Sequence, residues 1–282
     1  MAGTLHVVAT PLGNLEDLSR RGRETLAASA LIACEDTRRT AKLLAHCGLD
    51  VPMVAFHKFS ERDRLDVVLE VLASGRDVAL VSDAGTPGVS DPGALLVAVA
   101  HDAGIRVSPV PGPSAVAAIL SAAGLPADRF VFDGFLPPRA GERRNRLRAL
   151  AAEPRTVVVY EAPHRVKATL ADLAEVLGER TIVLGRELTK VFETILRGSA
   201  REVLARMGTG AVKGEIVIAF AGYDAASSPR PAEDDSLKTA WDGALAASKG
   251  DARAALKTAA KALGIKKPEL WRRLVERGLI RD

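Results

Sequence analysis

Residues 81–93 read Val-Ser-Asp-Ala-Gly-Thr-Pro-Gly-Val-Ser-Asp-Pro-Gly. Three glycines, two prolines, two aspartates, two serines and a threonine fall within this one stretch. Glycine lets a main chain approach a ligand where a side chain would block it, and proline stiffens the loop by fixing φ. The carboxylates, the hydroxyls and the main-chain N–H groups supply hydrogen-bonding partners for a small polar molecule. A strand-like run at 77–81 leads in and an apolar helical run at 94–103 leads out. The stretch therefore stands at the carboxyl end of a strand, where open α/β sheets bind ligands. It is longer than the usual strand-to-helix connection of about 2–6 residues, and ligand binding is the expectation.

Other turn-rich, polar segments end apolar runs in the same way: residues 10–15, 35–38, 111–115, 161–165, 186–190 and 213–215. No Gly-x-x-x-x-Gly-Lys-Ser/Thr occurs, so a P-loop nucleotide site is unsupported. No Gly-x-Gly-x-x-Gly follows the first strand, so the usual dinucleotide fingerprint is missing. His6, His46, His57, His101 and His164 show no zinc spacing, and no metal is expected.

The elements that must position these segments alternate. Strand patterns cover 5–9, 30–33, 52–56, 77–81, 106–110, 130–135, 156–160, 181–185, 192–197 and 215–221, with helical patterns between most of them. Such alternation predicts an α/β fold with largely parallel sheets. Gly124-Leu125-Pro126 interrupts it and divides two α/β domains, 1–124 and 125–223. Residues 224–236 have linker composition. Residues 237–282 read as a small basic helical module, with eleven Lys or Arg against five acids. Within it an apolar pattern ends at Gly264 and another opens after 265–269. This predicts two short helices joined by a turn, similar in outline to a helix-turn-helix. A second basic cluster holds Arg139, Arg143, Arg144, Arg146 and Arg148 against Glu142.

Composition is ordinary for a globular chain, at 48% hydrophobic and 26% charged. No apolar run reaches the roughly 20 residues of a membrane span, and the start of the chain shows no signal peptide. Cys34 and Cys47 lack metal-ligand spacing and read as a reduced pair. A cytoplasmic location is expected.

Taken in order, ATPLGNLEDLS, CEDTRRT, SDAGTPGVSDPG, PGPSA, FDGFLP, YEAPHR, RELTK and KGEIVIAF run from residue 9 to residue 220. This series resembles the ribosomal RNA small subunit methyltransferase I family, a branch of the tetrapyrrole methylase superfamily. The resemblance implies two α/β domains with S-adenosylmethionine in the cleft between them. It implies 2′-O-methylation of a cytidine ribose in 16S ribosomal RNA of the small subunit, and a homodimer. Residues 57–61, His-Lys-Phe-Ser-Glu, depart from the family, which generally shows His, an acid, His and Asn before that Glu.

For that chemistry, the implied cofactor contacts are Pro11, Asp83, Ala84, Gly85, Thr86, Val89, Ser90, Ser114 and Ala115 from the first half. Phe135, Glu161, Ala162, Glu215 and Ile216 join them from the second. A ribose hydroxyl is a weak acid, and a general base would help. Glu161, Glu187 and Lys190 are the catalytic candidates, with His164 and Glu193 open beside them. Arg38, Arg39, Arg165 and Arg186 suit phosphate better than proton transfer. Arg143, Arg144, Lys266, Lys267, Arg272 and Arg273 complete the expected RNA-binding set.

Two other readings compete. One is a tetrapyrrole C-methyltransferase on the same fold, which would not need two strongly basic segments. The other is a non-catalytic RNA-binding factor, which would not need so many turn motifs at strand ends.

Overall fold

The computed structural model describes residues 2–56, 61–224, 233–248, 251–276 and 279–280. Four positions of the 57–61 departure and most of the 224–236 linker lie outside them. The chain divides into two compact units, residues 1–222 and 223–282.

The first sheet of the larger unit holds β1 (Thr4–Val8), β2 (Leu31–Cys34), β3 (Met53–Ala55), β4 (Val78–Val81) and β5 (Arg106–Val110). Its order is β3-β2-β4-β1-β5, and every pairing is parallel. β2 and β4 are buried at every position, as strands covered on both faces must be. Val78 and Leu80 enter one core with Val68, Leu72 and Leu96, whereas Ala79 and Val81 enter another with Leu26, Leu43 and Leu44. Helices α1 (Arg20–Ala28), α2 (Thr37–Cys47), α3 (Glu61–Ala73) and α4 (Ala94–Asp102) supply those partners.

The second sheet holds β6 (Phe130–Phe135), β7 (Thr156–Glu161), β8 (Thr181–Arg186), β9 (Thr194–Ser199) and β10 (Ile216–Phe220), in the order β6-β7-β10-β8-β9. Only β6 and β7 pair in parallel; β7–β10, β10–β8 and β8–β9 are antiparallel. The expectation of largely parallel sheets therefore fails in this half. Residues 187–193 join β8 to β9 without a crossover helix, and a parallel return needs about a dozen residues or more. Helices α6 (Ala140–Leu150), α7 (Val166–Leu177) and α8 (Ala200–Arg206) cover one face.

The other face is covered by α5 (Ala115–Ala123), which precedes Gly124 in the chain. Val116, Ile119, Leu120 and Ala123 pack against Val158, Val183, Val217 and Ala219. The helix is placed by the boundary expected at 124 with the first half, yet it builds the core of the second.

Among its described residues the smaller unit contains three helices, one more than the helix-turn-helix outline: α9 (Glu233–Ala247), α10 (Ala252–Leu263) and α11 (Lys267–Glu276). Leu237, Trp241, Ala255, Ala259, Leu270 and Leu274 form its core. Asp251 caps α10 through the N–H groups of Arg253 and Ala254, and Gly264 ends it at φ 66°. Among the described residues no helix is long and apolar enough to cross a membrane.

Candidate active site

The loop after β4 is stitched to the end of β1. Thr10 and Gly85 exchange main-chain hydrogen bonds at 2.8 and 3.0 Å, and the Thr10 hydroxyl donates to the Ser82 carbonyl at 3.0 Å. Gly85 sits at φ 85°, where a Cβ would be strained and would meet Leu12 Cδ2 at 3.3 Å. The Thr86 hydroxyl donates to the Pro113 carbonyl at 3.2 Å, tying this loop to the start of α5. Three strand ends are thus fixed around one opening.

That opening is a cavity of about 380 Å³, within the usual size range of small-molecule sites. Asp83, Ala84, Gly85, Thr86, Val89, Ser114 and Ala115 line it from the first half, and Phe135, Glu161, Ala162, Glu215 and Ile216 from the second. Two expected contacts fall elsewhere. Pro11 is buried, and Ser90 is exposed at φ 65°, with its hydroxyl close to Gly134.

Glu35, Asp91, Tyr160 and Leu188, absent from the expected contacts, also line the cavity. Glu35 and Asp91 lie inside motifs already singled out, and their charge was the available signal. Tyr160 packs edge-on to Phe132 and Phe135, with ring centroids 4.9 and 5.4 Å away. No periodicity marks it, because it follows a run of buried valines in β7.

The lining is acidic. Glu35, Asp83, Asp91 and Glu215 all face the cavity. Burial, reinforced by Glu35, Asp83 and Glu215, pushes Asp91 up to about 6, against the opposing Ser82 hydrogen bond. Burial also raises Asp83, with Arg39 partly offsetting it, and raises Glu35, with Asp83 adding to the effect. Burial and then Asp91 push the Tyr160 phenol up to about 12. The pocket joins aromatic walls to a surplus of carboxylates, an arrangement suited to a ligand with one flat apolar part and one cationic part.

Glu187, Lys190 and Glu215 form a cluster beside it. Lys190 Nζ donates to Glu187 Oε1 at 2.8 Å and to Glu215 Oε2 at 3.1 Å. Burial works against the Lys190 charge, but those two carboxylates outweigh it and hold the ammonium above its ordinary range. Burial likewise opposes the Glu187 charge, and Lys190 with the Glu215 N–H outweighs it, so the carboxyl lies below its ordinary range. Glu187 adopts φ 53° and Thr189 φ 67°, the left-handed region. Gly214 leaves room for this turn, since a Cβ there would meet the Glu187 side chain at 2.5 Å.

Glu161, expected at the cofactor or as a base, has its carboxylate committed within the protein. Its side chain is fully buried and its carboxylate pairs with residues at the start of α7. Oε1 pairs with Arg165 NH2 at 2.6 Å and accepts the Ala162 N–H at 2.7 Å; Oε2 accepts the Thr169 hydroxyl. The same contact corrects Arg165, which is committed to this buried pair and not presented to phosphate. Arg143 is also a correction: it is 4% exposed and bound to Asp172 at 2.6 Å. Its position one turn before Leu147 places it on the buried face of α6. Arg144 is half-buried and reaches the other Asp172 oxygen at 3.5 Å. Arg38 is exposed and paired with Asp36 at 2.7 Å, whereas Arg39 reaches Asp83 and Glu215.

In the smaller unit Lys266 and Lys267 are exposed at the start of α11, and Arg272 and Arg273 bind Glu269 at 2.7 and 2.8 Å.

Residues 4–204 match the model of the tetrapyrrole (corrin/porphyrin) methylases. A protein from Pseudomonas aeruginosa named ribosomal RNA small subunit methyltransferase I is 46% identical over 98% of both chains. The chain belongs to the ribosomal RNA small subunit methyltransferase I family. A Xylella fastidiosa protein of the same name is 51% identical over 78% of this chain and 82% of its own. Among solved structures, uroporphyrin-III C-methyl transferase from Thermus thermophilus, complexed with S-adenyl homocysteine, aligns with a TM-score of 0.55. That alignment covers 77% of this chain and 97% of the other at 18% identity, a likeness of fold alone.

Proposed function

We propose that the protein transfers a methyl group from S-adenosylmethionine to the 2′-oxygen of a cytidine in small-subunit ribosomal RNA. Membership of the family and the shared name of its relatives support the reaction class. The acidic, aromatic-walled cavity is the observation in the molecule that carries the cofactor assignment.

The residues present fit that cofactor. Phe135 and Tyr160 offer apolar faces for an adenine, and the loop at 83–86 offers main-chain groups for the amino-acid end. Glu35, Asp83, Asp91 and Glu215 offset the positive charge of a sulfonium and an ammonium. Bound there, S-adenosylmethionine supplies a methyl group already activated by its sulfonium. The protein's part is alignment, from which such a transfer gains much of its rate.

In this reading the three catalytic candidates position rather than exchange protons. Glu161 has both oxygens committed to Arg165, Ala162 and Thr169. Lys190 stays protonated, and Glu187 holds it against Glu215 at the cavity rim. The exposed lysines of α10 and α11 hold the RNA backbone, as cations do wherever counterions are released from phosphate.

The test is incubation of the full chain with methyl-labelled S-adenosylmethionine and small-subunit ribosomal RNA, free or assembled, followed by nucleoside analysis. Label in 2′-O-methylcytidine is the expected result. Label in a base, label in a precorrin-type pigment, or no label in any of them would overturn the assignment.

A further inference from the structure

The chain has two tryptophans, and the smaller unit treats them oppositely. Trp241 on α9 is 3% exposed and lies in the core of that unit. Trp271 on α11 is 38% exposed and is absent from that core, although Leu270 and Leu274 on either side of it belong to it. Among the described residues its indole makes no hydrogen bond or ring contact. Single exposed apolar side chains are common and need no explanation. The surroundings of Trp271 make it a different case.

Lys267 stands one helical turn before it, and Lys266 precedes that; both are exposed. Arg272 follows directly. On α10 the exposed Arg253, Lys257 and Lys261 recur every fourth residue and so form a row along one face. An accessible indole set among cations is the pairing that single-stranded nucleic acids require: charge for the backbone and a flat face for an unstacked base. A duplex keeps its bases stacked inside and would meet only the cations. We propose that Trp271 is a base-stacking residue, and that the α11 surface around Lys267 and Trp271 binds an unpaired segment of RNA. The inference rests on RNA being the substrate and names the form in which this unit takes it.

The probe is oligouridylate, alone or annealed to oligoadenylate, titrated against the full chain with tryptophan emission and binding read together. The unpaired strand should quench emission, and the quench should vanish in Trp271→Leu, where only buried Trp241 remains. Affinity for the unpaired strand should fall roughly 5- to 150-fold in that variant, while Trp271→Phe should retain most of it. Unchanged Trp241 emission in Trp271→Leu reports that the unit is still folded. Equal affinity of wild type and Trp271→Leu would overturn stacking, as would a quench given only by the annealed duplex. Emission that changes with protein concentration alone would assign the face to a second copy of the chain and also overturn it. If Lys266→Glu and Lys267→Glu weaken binding while Trp271→Leu does not, stacking fails and RNA binding stands. If the wild-type chain binds neither probe nor ribosomal RNA, RNA as substrate fails with it.

Discussion

Arg39 touches one carboxylate from each half of the cavity: Asp83, at 3.4 Å, follows a strand of the first sheet, and Glu215, at 3.8 Å, precedes a strand of the second. Its side chain is 57% exposed, so these contacts hold little free energy in water. Their value is directional. They fix two acids at the rim while leaving much of a guanidinium facing solvent.

Replacing Arg39 with Gln should therefore change unfolding free energy by less than about 1 kcal/mol. Cofactor affinity should hold, and KM for RNA should rise with a log–log salt slope flatter by roughly 0.7–0.9. Calorimetry that instead shows lost cofactor binding would place Arg39 inside the pocket.

Gly85→Val should abolish cofactor binding and leave unfolding cooperative. The left-handed φ at Gly85 costs a β-branched residue about 1–3 kcal/mol, and the new side chain would press on Leu12. Isothermal titration decides it; wild-type affinity would remove the 82–93 loop from the site.

For Glu161, truncation to Ala strands Arg165 in the interior and should cost about 3–5 kcal/mol. Gln keeps the hydrogen bonds and should recover part of that loss. Urea unfolding of both variants, beside their turnover at saturating cofactor, separates the roles. An Ala variant of normal stability with turnover reduced roughly 10²–10⁴-fold would return Glu161 to general-base duty.

Asp91 supplies a pH signature. Its folded pKa, near 6, lies above the ordinary carboxyl value, so the folded state holds its proton more tightly. The stability this gives is fully present below about pH 4 and is lost as pH rises through 6. Cofactor binding should run the other way: a cation gains its partner only when Asp91 ionises, so affinity should rise between pH 5 and 7. Asp91→Asn should flatten that rise in a titration series. A series equally steep in the variant would assign the titration to another group.

Truncation after Tyr223 should leave cofactor binding intact, because the cavity is built wholly from residues 12–217. RNA binding should weaken and lose salt dependence, as filter binding across a salt series would show. An unchanged slope would give the 223–282 unit a structural role.

The sequence was most legible where one constraint acted alone. β4 is an unbroken apolar run because both its faces are covered, and the glycine-rich loop had to follow it. Most of the expected cofactor contacts line one cavity, because the carboxyl ends of β4, β6 and β7 and the amino end of β10 converge there. Legibility failed where a residue answered to two demands. Arg143 counted as one charge among five, yet its spacing from Leu147 and Leu150 marks the buried face of α6. Glu161 ends a strand beside the cleft, but Arg165 is four residues on and turns it inward. The antiparallel half of the second sheet was hidden because alternation of strand and helix does not record strand direction.

The packing of α5 bears on whether this protein can be taken apart. A cut after Gly124 severs the chain at a turn, yet it leaves Val116, Ile119 and Leu120 without the β-sheet they cover. Neither fragment would be an autonomous folding unit: one would display a naked helix stripe, the other a naked sheet face. Mixed together, the two have complementary surfaces and a reason to recombine. The same helix limits how far the cavity can gape, since any rocking of one sheet must drag α5 and, through Pro113, the Thr86 loop with it.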